Sequence, residues 1–375
     1  MSKYKVFPFY FPQFHAIPEN DTWWGCGFTD WDLVKKANPV SKLQYQPRVP
    51  INNNYYDQAE KSTIVEQAAL AKRYGISGFN FYHYWFDGKP MLDKPVNNLL
   101  ENNSVDIEYF FTWANETWTR QWVGKPNDIL IKQNHIADPQ IWSAHFQYLS
   151  KFFADPRYLK INNKPVFCIY RAELINKLDE FMAFFNSEAK KNGFNGIHFI
   201  ALRAYDVINA EALYRNFDAI VNFQPRYSIN KYLRKESSLK LALSKIARRL
   251  PEFLQLKIAT VLKSNKYNVF SYDDYLDSLK VNVDLQLLNK PVYQVAFPDW
   301  DNAPRYAERA TFFSDTGDNK FISALNIIKS QVSTYEEKLV FINAWNEWSE
   351  GAYLEPDSKK GYSNLESVNT VFKCE

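Results

Sequence analysis

The sequence predicts an α/β protein, a (β/α)8 TIM barrel with elaborated loops, and three observations lead there. Eight short apolar runs rich in β-branched and aromatic residues alternate with longer stretches of helical period. The runs are near-continuously hydrophobic, as in parallel strands covered on both faces. The first run passes into Phe11-Pro12-Gln13-Phe14-His15, not into a glycine-rich phosphate turn, and neither GxGxxG nor GxxxxGK[ST] occurs, which disfavours an open nucleotide-binding sheet. A chain of 375 residues fits one such barrel, spanning 1–375, once its loops carry insertions.

Taken in order, the strand candidates are Tyr4–Phe9, Ile76–Tyr82, Ile107–Trp113, Pro165–Tyr170, Ile197–Leu202, Ala219–Phe223, Pro291–Phe297 and Leu339–Ala344. Helices are expected over Glu60–Tyr74, with apolar Ile64, Ala68 and Ala71 on one face, and over Pro139–Phe153, Ile175–Asn192 and Tyr272–Leu288. Two excursions interrupt the repeat. Residues 16–58 carry Asp21-Thr22-Trp23-Trp24-Gly25 and Phe28-Thr29-Asp30-Trp31, and a loop this aromatic after a barrel strand reads as a lid or substrate wall.

The second excursion is a helical insertion at 228–271, between the sixth and seventh strands. Its apolar residues recur at Leu239, Leu243, Ile246 and Leu250, then at Leu254, Ile258 and Val261. From Lys231 to Lys266 it holds ten Lys/Arg against two Glu, a local charge of +8 in a chain of +3. Such a hairpin either docks on an anionic membrane surface or a lipid-linked glycan, or packs on the barrel as a surface pair with a solvated basic face. Nucleic acid is disfavoured as a partner, because no recognised nucleic-acid module accompanies the charge.

A composition of 46% hydrophobic and 23% charged residues excludes a disordered chain. The 24 Tyr, 29 Phe and 11 Trp suit either a ring-rich core or walls on which sugar faces stack. Cys26, Cys168 and Cys374 form neither a disulfide framework nor a zinc spacing. The N-terminus has no signal-peptide core and no apolar stretch is long enough to cross a bilayer. These features point to a cytoplasmic protein, peripheral to the inner membrane if the basic hairpin docks there.

Residues at the C-terminal ends of barrel strands face the catalytic mouth. There the sequence places Tyr10, Gln13, His15, His83, Tyr84, Asn115, Glu116, Arg171, Arg203, Asn222, Gln224, Asp299, Asn346, Glu347 and Glu350, with Trp24, Trp85, Trp113, Trp300, Trp345 and Trp348 along the rim. Carboxylates set among amides, arginine, histidine and tryptophan suit a carbohydrate site. Breaking a glycosidic bond needs one carboxyl to protonate the departing oxygen and another to supply or activate a nucleophile. Glu347 and Glu350 are the natural pair, provided the chain turns after Glu347, for which Gly351 is suited. Glu116 with Glu347, across the mouth, is the rival pair, because Asn115-Glu116 ends the third strand as Asn346-Glu347 ends the eighth. The five histidines show no metal-ligand spacing, no GxSxG elbow is present, and no metal or cofactor is called for.

Asn343-Ala344-Trp345-Asn346-Glu347-Trp348-Ser349-Glu350-Gly351-Ala352-Tyr353-Leu354-Glu355-Pro356 resembles the last-strand signature of the WbsX-like proteins of bacterial polysaccharide gene clusters. That group is similar to the endo-α-mannosidases and endo-α-mannanases of glycoside hydrolase family 99. The likeness extends to Phe9–His15, Trp23-Trp24-Gly25, Gly78–Trp85 and Trp113–Trp118, nearly the whole chain apart from 228–271. It implies a retaining glycosidase or transglycosylase acting on an α-linked, mannoside-like polysaccharide or its precursor. The sugar's own 2-hydroxyl then serves as nucleophile and a 1,2-anhydro sugar as intermediate. Glu347 matches the carboxylate that deprotonates the 2-hydroxyl, Glu350 the acid/base, and Glu116 becomes a binding residue. Ser349 departs from the histidine usual in the hydrolases, so mannose specificity does not transfer with the fold. WbsX-like proteins are also described as glycosyltransferases of O-antigen or capsule synthesis, which supplies an alternative activity. A non-catalytic polysaccharide-binding barrel is a third.

Overall fold

Eight parallel strands close on themselves in the computed structural model, which describes residues 4–121, 125–234, 250–251, 254–255, 267–281 and 289–373. They are β1 (Lys5–Tyr10), β2 (Gly78–Phe86), β3 (Glu108–Trp113), β4 (Lys164–Ile169), β5 (His198–Arg203), β6 (Ala219–Asn222), β7 (Val292–Ala296) and β8 (Leu339–Ile342). Each pairs with the next, and β1 closes the ring by pairing with β8 (Phe7 beside Phe341) and with β2 (Tyr10 beside Phe81). This is the (β/α)8 barrel expected, and all eight strand candidates coincide with it.

Among the described residues a helix follows each strand in turn: α1 (Lys61–Arg73), α2 (Lys94–Glu101), α3 (Pro139–Phe153), α4 (Leu178–Lys191), α5 (Ala210–Tyr214), α6 (Tyr272–Lys280), α7 (Asp318–Val332) and α8 (Ser363–Phe372). Helix α3 starts where the sequence predicts because Asp138 accepts a hydrogen bond from the Gln140 N–H and Pro139 fills a position that needs no donor. Helix α4 begins at Leu178, later than Ile175, because a separate 3-10 turn occupies Ala172–Leu174. Residues 282–288, expected to extend α6, lie outside the described residues, as does most of the basic stretch Lys231–Lys266.

Strand alternation sorts the aromatic residues into two layers. Phe7, Phe9, Tyr82, Phe110, Phe223 and Phe341 fill the barrel: Phe7 meets Phe110 at 5.0 Å, and Phe9 meets Tyr82 at 5.5 Å and Phe223 at 5.2 Å. Buried side chains of this size stabilise by about 2 kcal/mol each. Residues of the opposite parity face the helices. Trp85 stacks on His145 of α3 at 4.8 Å, Trp113 meets the same ring edge-on, and Phe167 packs on Phe185 of α4.

The 16–58 excursion forms two short helices, Pro18–Trp24 and Asp30–Lys36, and brings its own apolar residues to the barrel mouth. Its Trp31 and Val34 join Phe14, Tyr84, Phe86, Trp348 and Tyr353 in a second core cluster. Among the described residues no helix is long and apolar enough to cross a membrane.

Candidate active site

A cavity of about 170 Å³ opens at the C-terminal ends of the strands. The barrel contributes Phe11, Tyr82, Tyr84, Ala114, Glu116, Tyr170, Phe223, Arg226, Arg305, Tyr306, Glu347 and Glu350. Gln13, just after β1, also lines it; the 16–58 excursion adds Asn20, Trp23 and Trp24, and the hairpin formed by Trp118–Arg120 and Lys125–Ile131 supplies Trp118, Thr119 and Leu130.

Glu347 and Glu350 are brought together by a local turn. Asn346-Glu347 pairs antiparallel with Ala352-Tyr353, and a 3-10 turn over Trp348–Glu350 joins them. Gly351 closes the turn with φ 67°, a left-handed conformation costly for other residues. A Cβ there would also sit 2.9 Å from the Asp301 nitrogen. The two carboxyls face one another, Glu347 hydrogen-bonding to Glu350. Burial first, and then the charge of Glu350, push the Glu347 carboxyl well above the usual carboxylate range. Glu350 faces two guanidinium groups: Arg305 Nη1 donates to its Oε1 at 2.5 Å, and Arg226 Nη2 stands 3.7 Å from the same oxygen.

Arg305 is itself held from behind. Its Nη2 lies 3.7 Å from Asp30, which is wholly buried, and its guanidinium stands 5.3 Å from the Phe11 ring. Burial pushes the Asp30 carboxyl up, against the charge of Arg305 and the neighbouring Ser349. Ser349 is therefore no part of the cavity wall. It is completely buried and borders Asp30.

Two asparagines fix the strand ends in the same way. Asn346 accepts from the Phe11 N–H at 2.7 Å and donates to the Phe11 carbonyl at 2.9 Å. Asn115 accepts from the Arg171 N–H and donates to the Arg171 carbonyl, both at 2.8 Å. Each Asn-Glu pair thus clamps a neighbouring backbone with the amide and presents the carboxylate to the cavity. Glu116 pairs with Arg171, which also donates to Glu173 at 2.5 Å.

Of the residues expected from the sequence, Gln13, Trp24, Tyr84, Glu116, Glu347 and Glu350 line the cavity. The others lie elsewhere. Tyr10 and His83 fall on the outer parity of their strands, Tyr10 donating to Gln67 of α1 and His83 meeting His145 of α3 at 2.9 Å. Trp85 and Trp113 share that outer layer, and His15 turns to Gln58. Arg203 donates to Asn222 and lies over Tyr227, while Gln224 accepts from the Ser228 N–H. Asp299 pairs with Arg48 at 2.7 Å, and Trp300 is buried in the main core. Trp345 is likewise core, and Trp348 stacks on Tyr353 at 3.8 Å and donates to Glu355. Asn115, Arg171 and Asn346 support the cavity from behind.

Sequence reasoning missed Tyr82, Tyr170, Phe223, Arg226, Arg305 and Tyr306. Strand parity held the signal for three of them: with Tyr84 facing inward, Tyr82 must do so as well. The loop residues Arg226 and Arg305 had no comparable periodicity to reveal them.

The chain matches the family model described as Glycosyltransferase WbsX over residues 6–368. Two curated relatives, both "Uncharacterized protein WxcX" from strains of Xanthomonas campestris pv. campestris, are 31% identical over 363 and 366 residues. The alignments take in 96% of this chain and 48% of each relative, so the chain spans about half the length of the curated relatives it matches. A solved glycoside hydrolase-like protein superposes with a TM-score of 0.59 at 14% identity, covering 100% of this chain and 95% of that one. The GH99 endo-alpha-mannosidase from Bacteroides thetaiotaomicron, in complex with bis-tris-propane, superposes with a TM-score of 0.58 at 13% identity, covering 98% and 95%. At these identities the likeness to the two solved proteins is one of fold.

Proposed function

Because the chain belongs to the Glycosyltransferase WbsX family and shares the barrel of a GH99 endo-alpha-mannosidase, we propose that it makes or breaks α-glycosidic bonds of a bacterial polysaccharide or its precursor. The reaction is retaining hydrolysis or transglycosylation with 2-hydroxyl participation. The observation that carries this reading is the touching pair Glu347/Glu350 inside an aromatic-walled cavity. Hydrogen-bonded carboxyls are closer than the roughly 5 Å of a double-displacement pair or the longer gap of an inverting pair. That spacing suits one carboxyl acting on a sugar's O2 and the other on the glycosidic oxygen of the adjacent carbon. Tyr82, Tyr84, Trp24 and Trp118 offer faces on which sugar rings stack.

In the proposed sequence Glu347 takes the 2-hydroxyl proton, O2 attacks C1, and the C1–O bond breaks as Glu350 protonates the departing oxygen. Water or a sugar hydroxyl then opens the 1,2-anhydro ring at C1, giving its proton to Glu350, and Glu347 returns a proton to O2. The resting pair holds its proton on Glu347, so the hydrogen bond to Glu350 is the route by which that proton reaches the acid position.

The same observation favours a second reading in which the roles are exchanged, Glu347 acting as acid and Glu350, beside its two arginines, as base. Leaving-group dependence separates the two. If Glu350 is the acid, Glu350→Gln loses about 10²–10⁴-fold on an unactivated α-mannoside and recovers on the 2,4-dinitrophenyl α-mannoside, whereas Glu347→Gln fails on both. The opposite pattern assigns the exchanged roles. Equal turnover by wild type and both variants removes the pair from the chemistry. Turnover of a sugar nucleotide with release of nucleoside diphosphate would instead make the protein a glycosyltransferase of the usual kind. Glycan affinity without product would leave a binding barrel.

A further inference from the structure

Among the described residues, the Arg226 guanidinium in the cavity has an ion-pair neighbour, Glu350 at 3.7 Å, but no acceptor within hydrogen-bond distance. Arg226 follows β6 in the turn Pro225-Arg226-Tyr227-Ser228, which is pinned from three sides. Tyr227 N–H donates to the Phe223 carbonyl at 2.9 Å, Ser228 N–H to Gln224 Oε1 at 2.9 Å, and Asn343 Nδ2 to the Gln224 carbonyl at 2.9 Å. The other arginines of the mouth each have an acceptor close at hand. Arg171 is engaged by Glu116 and Glu173, Arg305 by Glu350, Arg48 by Asp299 and Arg203 by Asn222. For Arg226, among the described residues, no acceptor lies within hydrogen-bond distance, and its nearest carboxylate oxygen is Glu350 Oε1 at 3.7 Å. Its side chain is 37% exposed and lines the cavity beside Tyr170 and Tyr306.

Five N–H donors on a permanent cation suit a carboxylate or phosphate, which they grip two bonds at a time, far better than a neutral hydroxyl. Glu350 does not use them, because Arg305 already meets that carboxylate at 2.5 Å. We propose that Arg226 forms an anion subsite, so that the glycan engaged beside Glu350 carries a carboxylate or phosphate group. This rests on the glycosidic reading above and narrows its substrate class to acidic or phosphorylated glycans. The anchored turn presents the guanidinium ready-placed, so little ordering is needed on binding.

Equilibrium binding to the full chain tests this. The probes are methyl α-mannopyranoside, the corresponding methyl α-mannopyranosiduronic acid and mannose 6-phosphate, with the gluco-configured trio alongside so that sugar configuration does not decide the outcome. The anionic members should bind at least about tenfold more tightly than the neutral ones, and added NaCl should narrow the difference. Arg226→Gln should abolish the preference, while Arg226→Lys keeps part of it. A stronger preference for the 6-phosphates identifies phosphate as the group recognised, and one for the uronic acids identifies carboxylate. Equal binding of neutral and charged sugars by the wild type, or an unchanged preference in Arg226→Gln, overturns the proposal. An anion preference in a protein that turns over no glycoside would remove the catalytic reading and leave the subsite. Turnover of neutral α-glycosides with no anion preference would do the reverse.

Discussion

Replacing Arg305 by Gln removes the charge that two buried carboxyls share. The side chains are 7% exposed for Arg305, 4% for Glu350 and 0% for Asp30, so water cannot take the guanidinium's place. Deleting one partner of a buried ion pair costs about 3–5 kcal/mol, and here two acids lose their partner together, so the upper part of that range is expected. The loss depends on pH. Without the guanidinium the Asp30 carboxyl, already pushed up by burial, rises further above the unfolded value of about 4, so the folded protein binds its proton more tightly. The deficit is therefore largest at neutral pH and shrinks as pH falls toward the unfolded value. Urea denaturation of wild type and variant at pH 7 and pH 5 measures this, and Asp30→Asn added to Arg305→Gln should recover part of the loss. A deficit below about 1 kcal/mol, or one equal at both pH values, would refute the account of Arg305 as their shared counter-charge.

Three further outcomes are expected. Glu355 is fully buried, and burial pushes its carboxyl up to about 7 against hydrogen bonds from Trp348, Tyr56 and Gln67. Folding stability should therefore fall as pH rises from about 4.5 to 7, by up to about 3 kcal/mol, and Glu355→Gln should flatten that slope in thermal melts; an unchanged slope counts against it. Gly351→Ala, forced into a left-handed φ with its Cβ against Asp301, should cost about 1–3 kcal/mol and lower turnover beyond the effect on folding. His83→Phe leaves His145 without its 2.9 Å partner, so stability should drop by about 1–3 kcal/mol while KM and kcat stay near wild type. A raised KM would return His83 to the substrate site.

The barrel was legible because strands buried on both faces must be written as unbroken apolar runs, and Val340 through Ile342 or Val166 through Ile169 have little else they could be. The Glu347/Glu350 turn was legible as well, since a glycine four residues after the first carboxylate marks the bend. What misled was treating every polar or aromatic residue near a strand end as inward-facing. His83, Trp85 and Trp113 are as close to the mouth in sequence as Tyr82 and Tyr84, and one step of parity sends them to the helix layer. Arg226, Arg305 and Asp30 were invisible for another reason: they sit in loops after β6, β7 and β1, and only the closed ring brings those loops side by side.

The two glutamates ride on a single turn four residues long, whereas their counter-charges arrive from other strands. Spacing within the pair is then a local property, indifferent to insertions such as the one after β6. Charge balance within the pair is a global property, set by where the β6 and β7 loops bring Arg226 and Arg305. Sequence change in those two loops can retune which glutamate keeps the proton without moving either carboxyl, so acidity can diverge among relatives that keep the Asn346–Gly351 turn intact.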